Sequence, residues 1–512
     1  MDDTVGDATG VPEPIALAGV DEHEMLKAMS WWDGFMIALA NPGFLVAALG
    51  GSIAALGTGG ALVLWIVSVI LGLFQNWIYA EMAMMFPTKS GGIAVLAHEA
   101  WRKYFTPVGP LATFGYWFAW STVLSISGLV AGTLVQSKFF SHTTWSVSGG
   151  HFHLDLAILI GIAFVLIVWY FGAHGIKSSV LFSYITGALL MIPLLALMFL
   201  PYLTGDWHSS NFQWTVPSGY GGFQVIMIWL YFMGWSSYGF ESVASFSPEY
   251  KDPGRDVPKA LYSSAGFSVV MYVLLPLGVG GTLGTKGVTA DSTYIAFYTT
   301  ALDRIAGSAG GAILTLCMVA GIVLTMETAT MDGSRALYGI AKAGMSIKWL
   351  EGVNKHRVPS RGMAVDALLN IFLISFFGNA IAILAAGNLG YMLSHVFALS
   401  GFLLLRHDRR HWPRPVRRSA IWVPIAAFLA FANLAFVVLG GFVYANNPLG
   451  YGLSKTWIGV AVLCLSFVLY LYRRVVEDKE RMVMRQPVPQ EPSGVEAAAI
   501  AAAQQSIELQ RA

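Results

Sequence analysis

Apolar residues in this chain come in long continuous runs rather than in alternation. LVLWIVSVILGLF (62–74) is hydrophobic on every face. A strand of a membrane barrel would alternate over about 10 residues, so the pattern excludes a barrel. An α-helix crosses the hydrocarbon core with about 20 mostly apolar residues. Such runs predict twelve spans, at 31–53, 59–86, 108–137, 154–173, 180–200, 223–246, 261–284, 309–337, 362–377, 380–405, 420–444 and 456–472. The chain therefore reads as an all-α polytopic membrane protein. The ninth run is short, and its boundary with the tenth is the least marked.

Basic residues collect between the runs, and unevenly. If the spans alternate in direction, Lys138, Lys286, Arg304 and Lys455 lie on one side, and the other 26 of the 30 Lys and Arg lie opposite. The excess marks the cytoplasmic side. It puts both termini in the cytoplasm, and it requires an even span count, since one missed helix would invert every later loop; the plasma membrane is the expected location. Residues 1–29 form an acidic tail without the basic-then-apolar start of a secretory signal. Residues 30–475 form the membrane body, and 476–512 a second cytoplasmic tail. Within that tail, 496–510 has good helix formers but is marginal as an isolated helix. TYIAFYTTALDRIAG (293–307), in a long outer connection, predicts a helix over the outer face.

Composition agrees and excludes other classes. Charged residues are 12%, apolar residues 56%, and mean hydropathy is +0.62. A soluble domain carries roughly 25% charged residues, so neither a disordered chain nor a large soluble enzyme fits. A net charge of +1 gives no field for nucleic acid. Cys317 and Cys464 both lie in apolar runs, which argues against a disulfide framework or a metal site. No cofactor motif, nucleophile–base pair or phosphate loop appears, so an enzyme is not indicated. A channel would show a pore loop or a ring of charge.

Two spans are interrupted near their middle. The first contains Asn41-Pro42-Gly43, and the sixth contains Gly234-Trp235-Ser236-Ser237-Tyr238-Gly239. Proline removes a donor and glycine tolerates unusual dihedrals. In lipid, freed backbone groups persist only where protein, water or a ligand satisfies them. The two spans occupy the same place in successive five-helix units, and paired interruptions of this kind point to the site of an inverted-repeat transporter.

Sequence patterns next to these breaks resemble the amino acid–polyamine–organocation permeases. They are YAEMAMMFPTKSGG (79–92), HGIKSS (174–179), GFESVASFSPEYKDPGRDVPKAL (239–261) and SRALYGIAKAGMSIKWLEGVNKHRVPSRGM (334–363), in the family's order over about 30–475. The resemblance implies the leucine-transporter fold, with two inverted five-helix repeats (31–200 and 223–405) plus helices eleven and twelve (420–472). It implies a secondary transporter working by alternating access on a small amine-bearing substrate, an amino acid or derivative or an amine, with proton or sodium as partner. A same-fold carrier of a nucleobase or carboxylate, a sodium symporter and an exchanger are the alternatives. Two departures matter. The Gly-rich carboxylate-binding stretch of many relatives is replaced by ALANPGFLVAALGGS (38–52), and the fifth span has no lysine.

These readings make Asn41, Pro42, Gly43, Phe44, Trp120, Gly234, Trp235, Ser236, Ser237, Tyr238, Gly239 and Phe240 the expected substrate-binding residues. Charged groups within spans are costly and often functional. Glu241 follows the sixth-span break, as a cation or proton site or as a structural acid. Glu327 lies deep in the eighth span, as a proton carrier or a partner to a cationic group. Thr325 and Thr328 beside it could offer oxygens to sodium. Asp332 and Arg335, spaced i, i+3, are expected to pair with each other.

Overall fold

The computed structural model describes residues 27–377, 379–446 and 452–511. The acidic tail up to residue 26, and Gly378 at the boundary between the ninth and tenth runs, lie outside the described residues. The helices are α1 (Trp31–Ala38), α2 (Asn41–Met85), α3 (Gly92–Trp101), α4 (Val108–Phe139), α5 (Leu156–Ala173), α6 (Ile176–Thr204), α7 (Gly222–Ser237), α8 (Pro253–Thr289), α9 (Phe297–Lys342), α10 (Ser360–Phe377), α11 (Ala380–Asp408), α12 (Trp422–Ala435), α13 (Leu453–Tyr472) and α14 (Gly494–Arg511). A 3-10 segment, Gly239–Glu249, continues α7, and α12 runs on as a π-helix over Phe436–Val443. Ten helical stretches among the described residues are long and apolar enough to cross a membrane.

Two features separate this count from the twelve runs. The stretch Trp31–Met85 contains the first two runs, divided at Gly57 (φ 71°, ψ 167°), a backbone conformation that a side chain rarely adopts. The sixth run is α-helical for only 16 residues before its 3-10 continuation. Other boundaries shift for local reasons. The fourth run loses its first two residues to a hairpin, β1 (Ser146–Gly149) with β2 (Phe152–Asp155), in which Ser146 faces Asp155. Asp155 then caps α5 by accepting from the Ile158 amide at 2.8 Å. The expected outer helix is the first part of α9, ending at Gly307 (φ 69°).

The buried centre is α4, packed against α9, α11 and α5, while α12 and α13 lie at the edge. Leu181, Ile185, Phe428, Phe431, Trp457 and Val468 are exposed and form an apolar outer surface suited to lipid. Ion pairs gather at the two faces. On the basic face, buried Glu81 meets Arg406 at 2.8 Å, Arg414 at 3.2 Å and the Arg418 amide at 2.7 Å, so this acid is structural. Glu99 meets Arg409 at 2.9 Å, Arg102 at 3.4 Å and Lys89 at 3.5 Å. On the opposite face Lys138 pairs with Asp303 and Arg304 with Asp206.

Burial pushes the Glu99 carboxyl up, but Arg102, Lys89, His98 and Arg409 outweigh it and hold it at about 2. A depressed folded-state pKa stabilises above the unfolded value of about 4.5 and is lost as pH falls toward about 2. Thermal unfolding in detergent should therefore show stability falling over that window. Glu99→Gln should lower the unfolding temperature at neutral pH and flatten the fall; an unchanged pH profile would contradict this account.

Candidate substrate site between two broken helices

The first interruption lies two residues earlier than the sequence suggests. Helix α1 ends at Ala38, Leu39 and Ala40 form a tight turn, and α2 starts at Asn41. Pro42 thus sits in the first turn of a helix, where its missing N–H costs nothing. In the sixth span, Gly234 to Ser237 are still α-helical, and the change to 3-10 geometry comes at Tyr238 and Gly239.

The two breaks touch. A Cβ at Gly239 would stand 3.0 Å from Asn41 Oδ1 and 3.1 Å from the Phe44 ring. A Cβ at Gly43 would stand 2.2 Å from Thr325 Cγ2, so only glycine lets α2 approach α9 there. Carbonyls at the breaks also accept side chains from other spans. Thr328 donates to Ile37 O at 3.1 Å. The Tyr272 hydroxyl, on α8, lies 2.9 Å from Asn41 O and 2.7 Å from Ser236 O, with Ser236 Oγ at 2.8 Å. One phenol proton therefore faces a carbonyl from each broken helix.

Between the breaks lies a cavity of about 10 Å³ lined by Phe44, Ala119, Trp120, Val123, Trp235 and Tyr391. That holds about one water. Phe44 packs edge-on to Trp120 with ring centres 5.4 Å apart, and tilted to Trp235 at 5.8 Å. Trp235 Nε1 donates to Ala119 O at 3.4 Å, whereas Trp120 Nε1 and Asn41 Nδ2 are buried without a partner. Any substrate here must displace aromatic rings.

The site is shut on both sides. On the basic face Ala28 N and Met29 N each donate to Glu249 O at 2.9 Å, and Lys251 N donates to Met29 O at 2.8 Å. Arg335 makes a two-pronged pair with Glu249 and lies over the Phe246 ring at 4.5 Å. On the other face Tyr298 donates to Val46 O at 3.2 Å, and Gly50 packs directly on the Tyr294 carbonyl.

Of the residues expected to bind substrate, Phe44, Trp120 and Trp235 line the cavity. Asn41, Pro42, Gly43, Gly234, Ser236 and Gly239 shape the breaks. Ser237, Tyr238 and Phe240 turn instead toward the second span: Ser237 Oγ meets Ser68 Oγ at 2.6 Å, and Gly72 packs on Tyr238 and Phe240. Glu241 sits behind the wall and accepts from the Tyr391 hydroxyl at 2.8 Å. Glu327 is outside the cavity. It faces Gly172 of α5, its Oε1 3.8 Å from where a Cβ there would be, with the Ser179 hydroxyl of α6 beside the carboxylate and no cation paired with it among the described residues. Thr325 is bonded to Ser127 at 2.7 Å and to Ile322 O. The expected Asp332–Arg335 pair is not made: Arg335 is taken by Glu249, and Asp332 accepts from Tyr116 at 2.7 Å. Tyr272, Tyr391 and Tyr116 escaped the sequence reading, since a lone tyrosine in an apolar run carries no local signal.

Tyr272→Phe should leave a buried carbonyl unpaired and destabilise the fold by about 1–3 kcal/mol, read as a lower unfolding temperature in detergent. An unfolding temperature equal to that of the unaltered chain would show that the hydroxyl ties nothing together.

The broken helices, shut cavity and apolar exterior can be set beside known proteins. The chain is 24% identical over 460 residues to the lysine-specific permease LysP of Escherichia coli, covering 83% of this chain and 88% of that one. It is 25% identical over 456 residues to the vacuolar cationic amino acid transporter 8 of Arabidopsis thaliana, covering 86% and 72%. A branched-chain amino acid permease, BcaP of Lactococcus lactis, matches at 24% over 226 residues, covering 44% and 47%. These relatives are transporters, not enzymes. The model of the amino acid permease family matches residues 29–465, nearly the whole membrane body, and this multi-pass membrane protein accordingly belongs to the amino acid permease family.

Proposed function

We propose that this permease moves an amine-bearing substrate, an amino acid or derivative or an amine, across the plasma membrane by alternating access. The reading takes the twelve runs as twelve spans of a leucine-transporter fold with both termini cytoplasmic. Dividing Trp31–Met85 at Gly57 and admitting α7 with its 3-10 continuation support that count. The observation that carries the function is a cavity between two broken helices, which one tyrosine ties together, shut on both faces. A site closed on both faces, with gates of different make, suits a carrier that opens one side at a time.

Substrate chemistry follows from the walls. Phe44, Trp120, Trp235 and Tyr391 offer ring faces, and aromatic faces attract a cationic amine by about 0.5–2 kcal/mol each. Glu241, one hydrogen bond behind Tyr391, reinforces that polarity. Asn41 Nδ2 and Trp120 Nε1 are unspent donors for a carboxylate or carbonyl. LysP is a lysine-specific permease and two relatives are cationic amino acid transporters, which favours a basic amino acid. A thermal-shift screen of the purified protein against lysine, arginine, leucine, simple diamines, nucleobases and carboxylates tests this, since a ligand of the folded state raises apparent stability. Stabilisation by nucleobases or carboxylates alone would overturn it. Trp235→Ala should weaken binding of the stabilising ligand about two- to thirtyfold.

Coupling is assigned to protons, with Glu327 as carrier. A buried carboxylate with the Ser179 hydroxyl beside it and no ion-pair partner among the described residues is where gaining or losing one proton changes the local energy strongly. Its place between α9 and α5, away from the cavity, favours coupling over substrate contact. The hydroxyls considered for sodium are engaged within the protein, Thr328 on Ile37 O and Thr325 on Ser127. In liposomes, uptake should follow an imposed pH gradient and ignore a sodium gradient, and Glu327→Gln should remove the pH-gradient dependence. Normal gradient-driven uptake by that variant would refute the assignment.

A further inference from the structure

The C-terminal tail crosses the basic face from one side of the shut gate to the other. Its start is tied to the connection after α9. Arg473 binds Glu351 at 2.5 Å and Ser346 O at 3.1 Å, and Lys348 meets Asp478 at 3.0 Å. The next part pairs through its backbone with the α3–α4 connection: Thr106 N donates to Met484 O and Gln486 N to Arg102 O, both at 2.8 Å. PVPQEPS (487–493) follows, and three prolines in seven residues make a semi-rigid spacer with little slack. Then α14 docks on the start of α8. Ile500 and Ala503 are buried, a Cβ at Gly254 would stand 2.4 Å from Ala503 Cα, and Ser506 donates to Asp252 Oδ2 at 2.6 Å.

One anchor is thus on the α3, α4 and α9 side, and the other is on the α8 side beside Glu249 and Tyr250. The gate contacts, Met29 with Tyr250 and Arg335 with Glu249, tie the segment leading into α8 to α9 and to the residues before α1, so they join elements that the two anchors also hold. Docking also explains why 494–511 is helical although the sequence is marginal alone: α8 buries Ile500 and Ala503. We propose that residues 473–511 form a strap that holds the cytoplasmic face closed and slows its opening. An opening that parts α8 from α9 must undock α14 or stretch a proline-stiffened spacer. The proposal rests on the alternating-access reading for its effect on rate, but not for its effect on closure.

Hydrogen exchange on the purified chain tests closure without any substrate. The probes are the gate amides of Ala28, Met29 and Lys251, compared among the full chain, a chain ending at Arg485, and Ile500→Asp in the full chain. Both variants should exchange about fivefold faster or more at these amides. Unchanged exchange in both overturns the strap, and if one variant does not fold the other decides. In liposomes the variants should take up substrate faster with KM unchanged; equal or slower uptake, with the thermal unfolding of α4 and α9 intact, also overturns it. Absence of uptake by the full chain and both variants would instead strike the transport reading, while exchange still decides the strap.

Discussion

Carbonyls stranded in the middle of a membrane must find donors, and this fold is organised around finding them. At the breaks in the first and sixth spans, the carbonyls of Ile37, Asn41 and Ser236 each accept a hydroxyl from another helix. No water shell is there to receive them. Thr328 answers one, and Tyr272 stands between the other two. The two breaks are therefore pinned to α9 and to α8, and the aromatic rings they carry are brought against one another. Because Tyr272 has one proton for two acceptors, the tie can pass from one carbonyl to the other without leaving the phenol. A joint of this kind fixes position while tolerating small rotations of either helix.

The two closures differ in kind. The basic face is held by three backbone hydrogen bonds and a fully buried arginine–glutamate pair. Breaking such a pair by removing one partner is costly because the other is left buried and charged, so Glu249 and Arg335 must reach water together. The opposite face is held by one tyrosine hydrogen bond and by close packing of Gly50 on a carbonyl. The asymmetry places the stiffer barrier on the side where α14 also lies.

Much of this was readable in the residue order, because lipid enforces it. Apolar runs, the lopsided basic residues, the paired interruptions and the motifs beside them located the helices and the family. Phe44 and Trp235 were legible because they lie on the breaks, and Trp120 as a bulky aromatic of the third span that could wall a site. What stayed hidden was contact between distant spans. The i, i+3 spacing of Asp332 and Arg335 suggested a local pair, but Glu249 and Tyr116 compete from other helices and win. Tyr272 and Tyr391 look like any tyrosine in an apolar run. Ser237, Tyr238 and Phe240 share a break with Trp235, but the helix carries them round to the second span. The hairpin before α5 and the docking of α14 depend on neighbours rather than on local propensity.

The cavity's smallness has an electrical meaning. A void that accepts about one water cannot hold a continuous file of water across the membrane. The packed rings of Phe44, Trp120, Trp235 and Tyr391 interrupt any such file at the breaks.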